Sequence, residues 1–459
     1  MLIGRSHELD YLTNYYNQAD NSLIVLYGQK GLGVSSLLQE FAKEKDVVRL
    51  CASQCSPRQQ CYVWSKKIRN QGISIGEYPD FSALFDAISE LYAGQKGAGK
   101  TVLVIEDFQW AVRNSDDFMN ALTAFLAVEE NKGRLMIILA SNAIGWVENT
   151  FISKIGRNAF AISGFLKVKP MSFLDMVCFY DTNDTKKCIQ IYSIAGGNPG
   201  YWTRFDIKTD LKTNICRLFL EQNAVFASEG LNRISDELRE LSVYGTILAS
   251  LAEGREKLND LYAHTGFSRA KISVYLKNLM ALELVEKVFS YETADNRNSK
   301  KGVYRICDPL VQFWYHFIFP HSDELGVMSA EEFYDAYIAE EITDYISAGY
   351  GKICAEYLDI LNERGKLPVN YTRHGEWVGK NGRIDVVGQD AKRNTLLGFC
   401  NTSGRALDLT MVEADIALAK EAHLRPEHCF FFSADGFTGE VEAFAKRNDG
   451  VYLVDMNDL

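Results

Sequence analysis

A glycine-rich segment, residues 28–36, has the residue types and the spacing of a loop that binds nucleotide phosphates. It follows an apolar, β-branched run at residues 23–27 and precedes a helix-like segment at residues 37–45. Strand, glycine loop and helix in this order place backbone N–H groups and the positive end of a helix dipole around an anion. The loop residues that we expect to contact nucleotide are Gly28, Lys30, Gly31, Gly33, Ser35 and Ser36.

One residue of this loop does not suit a phosphate site. Val34 stands where a phosphate-binding loop has its lysine, which is a point charge on the β- and γ-phosphates. Lys30 lies inside the loop and is the alternative source of positive charge, and the Ser35 hydroxyl can still bind Mg²⁺. We therefore expect ATP and Mg²⁺ to bind, and hydrolysis to be slow or absent.

A second segment, residues 94–101, matches the full pattern G-x-x-x-x-G-K-[ST], yet its surroundings are reversed. A helix precedes it and a strand at residues 102–105 follows it. A phosphate loop needs the opposite order, so that its amides continue into the N-terminus of a helix. Ligands also bind at the carboxyl ends of parallel strands, whereas Lys100 enters its strand at the amino end. We therefore interpret residues 94–101 as a flexible surface loop.

The strand at residues 102–105 delivers two acids at its carboxyl end, Glu106 and Asp107. In a P-loop ATPase the first acid holds Mg²⁺ through water, and the second orients the attacking water. The usual order is Asp then Glu, so Asp107 has the shorter reach toward a water. Asn142 follows another apolar strand, residues 135–140, and is expected beside the γ-phosphate. The alternatives are acids that cap a strand end and ordinary turn chemistry at Asn142.

Residues 234–306 have the pattern of a winged helix-turn-helix. The expected elements are helices at residues 240–253, 257–265 and 269–282 and strands at residues 284–290 and 302–306. From Arg255 to Arg305 there are ten Lys or Arg and six Asp or Glu, a local charge of +4. The basic residues expected to contact DNA phosphates are Arg269, Lys271, Lys277, Arg297, Lys300 and Lys301. The alternative is a winged helix that binds a protein.

The composition limits the functions that this chain can have. Its 459 residues predict two to four domains, and 47% hydrophobic residues are ordinary for a globular protein. A net charge of −11 argues against a protein that coats nucleic acid with its whole surface. Ten cysteines are too dilute for a disulfide framework, and Cys51, Cys55 and Cys61 do not have a common zinc spacing.

The longest apolar runs fall far short of the roughly 20 residues that a membrane helix needs. The first residues meet charge at Arg5, which does not suit a secretion signal. The sequence therefore predicts a cytoplasmic protein with no membrane partner.

Taken together, these motifs resemble the archaeal-type ATPases of the signal-transducing (STAND), AAA+-related P-loop superfamily, with a nuclease-like C-terminal domain. Further similar stretches are residues 3–5 with Glu8 and Leu9, residues 169–173, residues 196–199, and residues 304–309 followed by Phe313 and Trp314. The resemblance implies an α/β fold: a P-loop parallel sheet, a helical lid, a winged helix-turn-helix and a restriction-endonuclease-like domain. The limits that it implies for these domains are residues 1–165, 166–233, 234–325 and 326–459.

The resemblance also implies where a nuclease site would lie. In the family an Asp and a Glu-x-Lys on adjacent strands bind Mg²⁺ and position the water. Asp385 fills the first place, whereas residues 399–401 read Phe-Cys-Asn where Glu-x-Lys is expected. The helical glutamate of the family falls near Gly351. One acid cannot hold a catalytic magnesium, so we expect no nuclease activity, and we expect Phe399 to serve packing.

Two functions remain open from the sequence. The first is an ATP-binding switch in which nucleotide occupancy sets the relative orientation of the winged-helix and nuclease-like domains. The second is a non-enzymatic scaffold, a pseudo-ATPase with a pseudo-nuclease, that binds DNA or a protein partner through the winged helix. An active nuclease would need ligands that the sequence does not offer, and the oligomeric state is left open.

Overall fold

A computed structural model describes residues 2–93, 99–128, 132–235, 237–291, 302–379, 381–401 and 403–456. The chain divides into two compact units, Met1–Met171 and Ser172–Leu459. In the described part of the chain, every helix is too short or too polar to cross a membrane.

A parallel sheet forms the centre of the first unit. Its strands, within the described residues, are β1 Ser22–Gly28, β2 Val47–Cys51, β3 Thr101–Glu106, β4 Leu135–Ser141 and β5 Gly164–Val168. Their order is β2-β3-β4-β1-β5, and all neighbouring pairs are parallel. The carboxyl ends of all these strands therefore meet at one edge, and β4 lies between the strand before the glycine loop and the strand before the two acids.

Helices cover both faces of this sheet. They are α1 Ser6–Tyr16, α2 Val34–Phe41, α3 Pro57–Arg69, α4 Phe81–Ala93, α5 Gln109–Asn114, α6 Asp117–Leu126, α7 Ile144–Trp146 and α8 Ile152–Lys154, with a π-helical turn at Val147–Phe151 and a 3₁₀ turn at Gly156–Ala161. Along β1, Leu23 and Val25 pack with α3, α4 and α6, whereas Ile24 and Leu26 pack with α1 and α2. Burial on both faces explains why β1 is a continuous apolar run, as parallel strands usually are.

Two strands of this sheet, β2 and β5, are not predicted by the sequence analysis. β5 pairs with β1 from Gly164 to Val168, so the expected boundary between residues 165 and 166 falls inside a strand of the first sheet. The rest of the division into four domains stays a prediction. The helix after the glycine loop begins at Val34 and ends at Phe41, earlier at both ends than expected.

The second unit begins with a group of short helices. They are α9 Phe173–Tyr180, α10 Thr185–Ala195, α11 Pro199–Trp202, α12 Leu211–Ile215 with a π-helical turn at Cys216–Leu220, and α13 Glu229–Ser235. Two of the stretches that carry the family resemblance meet here, because a Cβ added to Gly196 would lie 2.9 Å from Pro309 Cδ. Gly196 also has a φ of 56°, so a side chain there would meet both strain and a clash.

A winged helix-turn-helix follows, as predicted. It consists of α14 Leu241–Ala252, α15 Leu258–Thr265, α16 Arg269–Ala281, β6 Val285–Val288 and β7 Val303–Ile306. Ser268 caps α16 by accepting a hydrogen bond from the Lys271 N–H, and the two strands are antiparallel. Ile272, Leu276 and Leu279 form the buried stripe of α16, which the spacing of the apolar residues predicts.

The last part of the chain is a mixed α/β domain. Its elements are α17 Pro309–Phe313, a π-helical turn at Trp314–Ile318, a 3₁₀ turn at Phe319–His321, α18 Ala330–Tyr337, α19 Ile342–Ala348, α20 Tyr350–Glu363, β8 Arg373–Val378, β9 Arg383–Gln389, β10 Thr395–Asn401, α21 Leu409–Glu421, β11 His428–Ser433, α22 Gly439–Arg447 and β12 Val451–Asp455. The strand order is β12-β11-β10-β9-β8, with β10, β11 and β12 parallel and β8 and β9 antiparallel to their neighbours.

Candidate functional site

Close packing and backbone conformation explain the glycines of the loop. A Cβ added to Gly28 would lie 2.8 Å from the carbonyl oxygen of Val168, at the end of β5. Gly31 and Gly33 have φ angles of 94° and 84°, which side chains rarely adopt. Gly33 directly precedes α2, so the loop leads into the unpaired N–H groups of the first helical turn. This arrangement suits an anion.

Arg5 fixes the middle of the loop. Its Nη2 donates to the carbonyl oxygen of Leu32 at 2.9 Å, and Leu32 stands between Gly31 and Gly33. Its Nη1 donates to Glu8 Oε1 at 2.8 Å and to the carbonyl oxygen of Lys169 at 2.9 Å. Arg5 is only 4% exposed, so these hydrogen bonds form in a low-dielectric environment. The loop is therefore tied to the start of α1 and to the chain just after β5.

Val34 is part of the hydrophobic core. It is the first residue of α2 and belongs to a buried cluster with Leu37 and Leu38 of the same helix and with Ile24 and Leu26 of β1. The side chain at this position therefore packs against the sheet and brings no charge to the loop. Lys30 and Ser36 are exposed residues of the loop and of the first turn of α2.

The loop and the acid-bearing strand meet at Ser35 and Glu106. The Ser35 hydroxyl donates to Glu106 Oε2 at 3.3 Å. The other oxygen of the same carboxylate, Oε1, is 3.9 Å from Arg49 Nη1. A hydroxyl and a carboxylate at this distance are suitable oxygen ligands for one Mg²⁺ ion.

Asp107 is surrounded by donors at the ends of three strands. Its Oδ1 accepts from Gln109 Nε2 at 3.2 Å and from Asn142 Nδ2 at 3.5 Å, and its Oδ2 lies 3.8 Å from Cys51 Sγ. Burial raises the pKa of the Cys51 thiol, and the charge of Asp107 raises it further, so this thiol donates to the carboxylate. Asp107 has a φ of 52°, and strain of this kind is concentrated at functional sites.

Of the complete pattern at residues 94–101, the described residues 99–101 lie at the amino end of β3. Residues 94–98 fall outside the described residues. Lys100 precedes β3, and its Nζ donates to the carbonyl oxygens of Tyr15, at 3.3 Å, and Asp20. Lys100 is buried, and desolvation lowers the pKa of its ammonium group. The amino-end position is as predicted, whereas the expected surface position of Lys100 is wrong because carbonyl groups replace its hydration shell.

The structure describes three of the six basic residues that were predicted to contact DNA. Arg269, Lys271 and Lys277 are exposed on α16. The Arg269 guanidinium lies over the Tyr262 ring at 4.0 Å and donates to Asn259 Oδ1 at 3.0 Å. Arg297, Lys300 and Lys301 lie outside the described residues.

The base of the wing packs against the C-terminal sheet. The Tyr291 hydroxyl donates to Gln389 Oε1 at 2.8 Å, and Tyr291 belongs to the same buried cluster as Trp377. Arg305 of β7 binds Glu256, with Nε 2.7 Å from Oε1, and also Glu376 of β8. These residues therefore serve packing within the second unit, which leaves α16 as the exposed basic element among the described residues of the winged helix.

The expected nuclease remnant, Asp385, is satisfied by protein groups. Its Oδ1 is 2.8 Å from Arg383 Nη2, and its Oδ2 accepts the Cys400 N–H at 3.0 Å. A Cβ added to Gly351 would lie 3.0 Å from Asp385 Oδ1, so the position of the missing helical glutamate adjoins Asp385. Phe399 is buried and stacks on Phe431 with ring centroids 5.3 Å apart.

A second acid near Asp385 is not predicted by the sequence analysis. Burial raises the pKa of Asp415, in α21, to about 7, and the charge of Asp385 adds to the shift. Among the described residues, no group of three or more His, Cys, Asp or Glu side chains could hold a metal ion. The inactivity of this domain as a nuclease stays a prediction.

The sequence analysis did not predict that β2 contributes side chains beside Glu106 and Asp107. Arg49 and Cys51 lie two residues apart on this strand, so their side chains point to the same face. Arg49 reaches Glu106, and Cys51 reaches Asp107. The signal in the sequence was the apolar pattern Val47-Val48-x-Leu50, which is short and follows a charged stretch.

Comparison with family models divides the chain into three matched regions. Residues 1–138 match the AAA ATPase domain, and residues 246–287 match the arsR family of bacterial regulatory proteins. Residues 314–402 match a family described as archaeal and bacterial proteins of unknown function.

The proteins similar to this chain include two relatives and a solved structure from archaea. An uncharacterized protein of Methanocaldococcus jannaschii is 22% identical over 393 residues, which cover 84% of each chain. An uncharacterized ATP-binding protein of the same organism is 33% identical over 49 residues, which are 11% of this chain and 83% of that protein. A Walker-type ATPase of Pyrococcus abyssi is 17% identical with a TM-score of 0.47, covering 68% of this chain and 96% of that one.

Proposed function

We propose that this chain is a nucleotide-binding switch that holds ATP at residues 28–36 and hydrolyses it slowly or not at all. The match of residues 1–138 to the AAA ATPase domain supports nucleotide binding. The observation that carries the proposal is the contact between Ser35 Oγ and Glu106 Oε2 at 3.3 Å. It joins the loop that would hold the phosphates to the strand that would hold their counter-ion.

Weak hydrolysis follows from two features of this site. Val34 supplies no charge to the γ-phosphate, so the loop has no lysine at the position where it would stabilise charge in the transition state. Asp107 already accepts hydrogen bonds from Gln109 and Asn142, and it is one methylene shorter than glutamate. A water beside the γ-phosphate would therefore be poorly activated.

The site has suitable groups for Mg²⁺. Ser35 and Glu106 are the residues that would hold the ion, with the nucleotide phosphates completing its oxygen shell. The ion would neutralise charge on the phosphates. Asn142, at the carboxyl end of β4 between β1 and β3, would donate to a terminal phosphate.

Two glycine variants test whether the loop binds nucleotide. Gly33→Ala forces a side chain into a φ of 84° within the loop, whereas Gly72→Ala does so at a φ of 90° with open space around the added Cβ. Both variants should lose similar stability, about 1 kcal/mol. We expect Gly33→Ala to weaken binding of a fluorescent ATP analogue at least about tenfold, equivalent to ~1.4 kcal/mol, measured by anisotropy on the full chain.

Gly72→Ala should bind the analogue like the wild-type chain. Equal affinities for both variants and the wild type would contradict binding at residues 28–36. Loss of binding in both variants to the same degree would show that the glycines act only through stability.

A second candidate function is a scaffold that binds DNA through the winged helix. The supporting observation is the exposed basic face of α16, with Arg269, Lys271 and Lys277. In an arsR-like winged helix this helix is the element that would enter the major groove. The nucleotide site would then control binding without any catalytic step, and a protein partner is the alternative ligand of the same surface.

Neutralising α16 tests this second function. We expect the triple change of Arg269, Lys271 and Lys277 to Gln to weaken DNA binding about tenfold or more near 0.1 M salt, and to reduce the salt dependence of the binding constant. The measurement is a mobility-shift titration at several salt concentrations. Changing Lys420, Lys446 and Arg447, which are exposed in the C-terminal domain, to Gln gives a control of the same net charge.

Equal weakening by both triple variants would show that only total charge matters. Absence of binding by the wild-type chain at low salt would leave a protein as the partner of α16 and would exclude the DNA version of the scaffold.

A further inference from the structure

An arginine on the edge strand faces the acid that would bind the metal ion. Arg49 Nη1 lies 3.9 Å from Glu106 Oε1, and the other oxygen of Glu106 lies 3.3 Å from Ser35 Oγ. The Arg49 and Glu106 side chains are 34% and 27% exposed, so the pair is only partly screened by solvent.

Strand geometry places Arg49 there. β2 is parallel to β3, with Arg49 opposite Val104 and Cys51 opposite Glu106. Val104 packs in the buried cluster on the face of the sheet that α2 covers. Arg49 is the partner of Val104 in register, and Glu106 follows Val104 by two residues along β3. Both side chains therefore lie on that same face. Ser35 is in the first turn of α2, on the same side. The register of β2 and β3 and the position of α2 therefore bring Arg49, Glu106 and Ser35 together.

The charges of the site require a cation. Glu106 and Asp107 are two acids at the edge where a polyanionic nucleotide would bind, and Val34 removes the usual lysine. We propose that Arg49 is a positioning residue that neutralises Glu106, so that the site holds nucleotide phosphates with little dependence on Mg²⁺. This inference rests on the proposed nucleotide binding. It adds the identity of a cation in the site, Arg49, and the expectation that binding depends little on Mg²⁺.

Arg49 and Mg²⁺ compete for the same carboxylate. In the wild-type chain the Arg49 guanidinium, 3.9 Å from Glu106 Oε1, offsets part of the charge of Glu106, so that Mg²⁺ held by Ser35 and Glu106 would add little to the affinity for phosphates. Without Arg49 the negative charge of Glu106 would oppose the phosphates, and nucleotide binding would then depend on a divalent cation. The ratio between the dissociation constants in EDTA and in Mg²⁺ therefore reports the role of Arg49, whereas a merely structural role would change both constants together.

The experiment measures binding of a fluorescent ATP analogue to the full chain, in EDTA and in millimolar Mg²⁺. For the wild type we expect the dissociation constant in EDTA to exceed that in Mg²⁺ by no more than about threefold. For Arg49→Gln we expect a difference of about tenfold or more, because binding in EDTA becomes weaker. Arg49→Lys should restore a small ratio. Arg58→Gln, at an exposed arginine of α3 that lies over the Tyr78 ring, is the control and should behave like the wild type.

Glu106→Gln gives a second route if Arg49→Gln does not fold. It removes the charge that Arg49 balances, so binding in EDTA should stay within about threefold of the wild type, and adding Arg49→Gln should then have little further effect. An unchanged ratio in Arg49→Gln, or equal weakening in EDTA and Mg²⁺, would overturn the role of Arg49 while leaving nucleotide binding intact. Absence of binding by the wild type would overturn both proposals.

Discussion

Arg5→Ala is expected to destabilise the first unit by about 3–5 kcal/mol, the range observed when one partner of a buried ion pair is removed. The Arg5 and Glu8 side chains are 4% and 11% exposed, so the substitution leaves a carboxylate buried without its cation. It also removes the donor to the carbonyl oxygens of Leu32 and Lys169, which then lose hydrogen bonds away from bulk water.

Urea unfolding of the full chain, followed by its intrinsic fluorescence, measures this effect. Lys43→Ala is the matched control, because Lys43 and Glu40 form an ion pair with the same sequence separation, but the lysine is 63% exposed. That control should unfold like the wild type. A loss of less than about 1 kcal/mol in Arg5→Ala would show that Arg5 does not fix the loop in the way that its contacts indicate.

Val34→Lys is expected to raise the affinity for ATP by about 10- to 100-fold. A charge-assisted hydrogen bond to a phosphate contributes about 1.5–3 kcal/mol, and 1.4 kcal/mol corresponds to a factor of ten. The first turn of α2 begins at position 34, so the aliphatic part of a lysine can replace the valine in the core while its ammonium group extends toward the loop.

Val34→Met separates charge from size in this experiment. Methionine has a similar length without the charge, so it should leave ATP affinity within about twofold of the wild type while reporting any cost of repacking the core. Anisotropy with the fluorescent analogue measures the ATP affinity of both variants. Urea unfolding measures their stability. If the lysine variant binds no more tightly than the methionine variant, position 34 does not face the phosphates.

The conformation of the glycine-rich loop and the position of the acid pair could be predicted because the information is local. A β-branched run, closely spaced glycines and a following helix define β1, the loop and α2 within about 20 consecutive residues. Parallel strands then place Glu106, Asp107 and Asn142 at one edge without any knowledge of side-chain contacts. The winged helix was predicted for the same reason, since its helices have clear apolar stripes and Ser268 is a recognisable cap.

The contributions of Arg49 and Arg5 could not be predicted. Arg49 acts through register with β3, and its strand is a short edge strand whose apolar pattern is weak. Arg5 bonds to residues 27 and 164 positions away, and such pairs follow only from the folded chain. Asp385 lies beside Gly351, and its ion pair with Arg383 depends on side-chain geometry within β9, which the sequence does not give.

The most direct test of nucleotide binding is isothermal titration calorimetry of the full wild-type chain with ATP, in Mg²⁺ and in EDTA. A loop with correct glycines but without its lysine should give saturable, one-site heat with a dissociation constant between about 10 µM and 1 mM. The heat should report at least about tenfold weaker binding in Gly33→Ala and should be unchanged in Gly72→Ala. The absence of saturable heat up to several millimolar ATP, in both conditions, would contradict a nucleotide switch at residues 28–36.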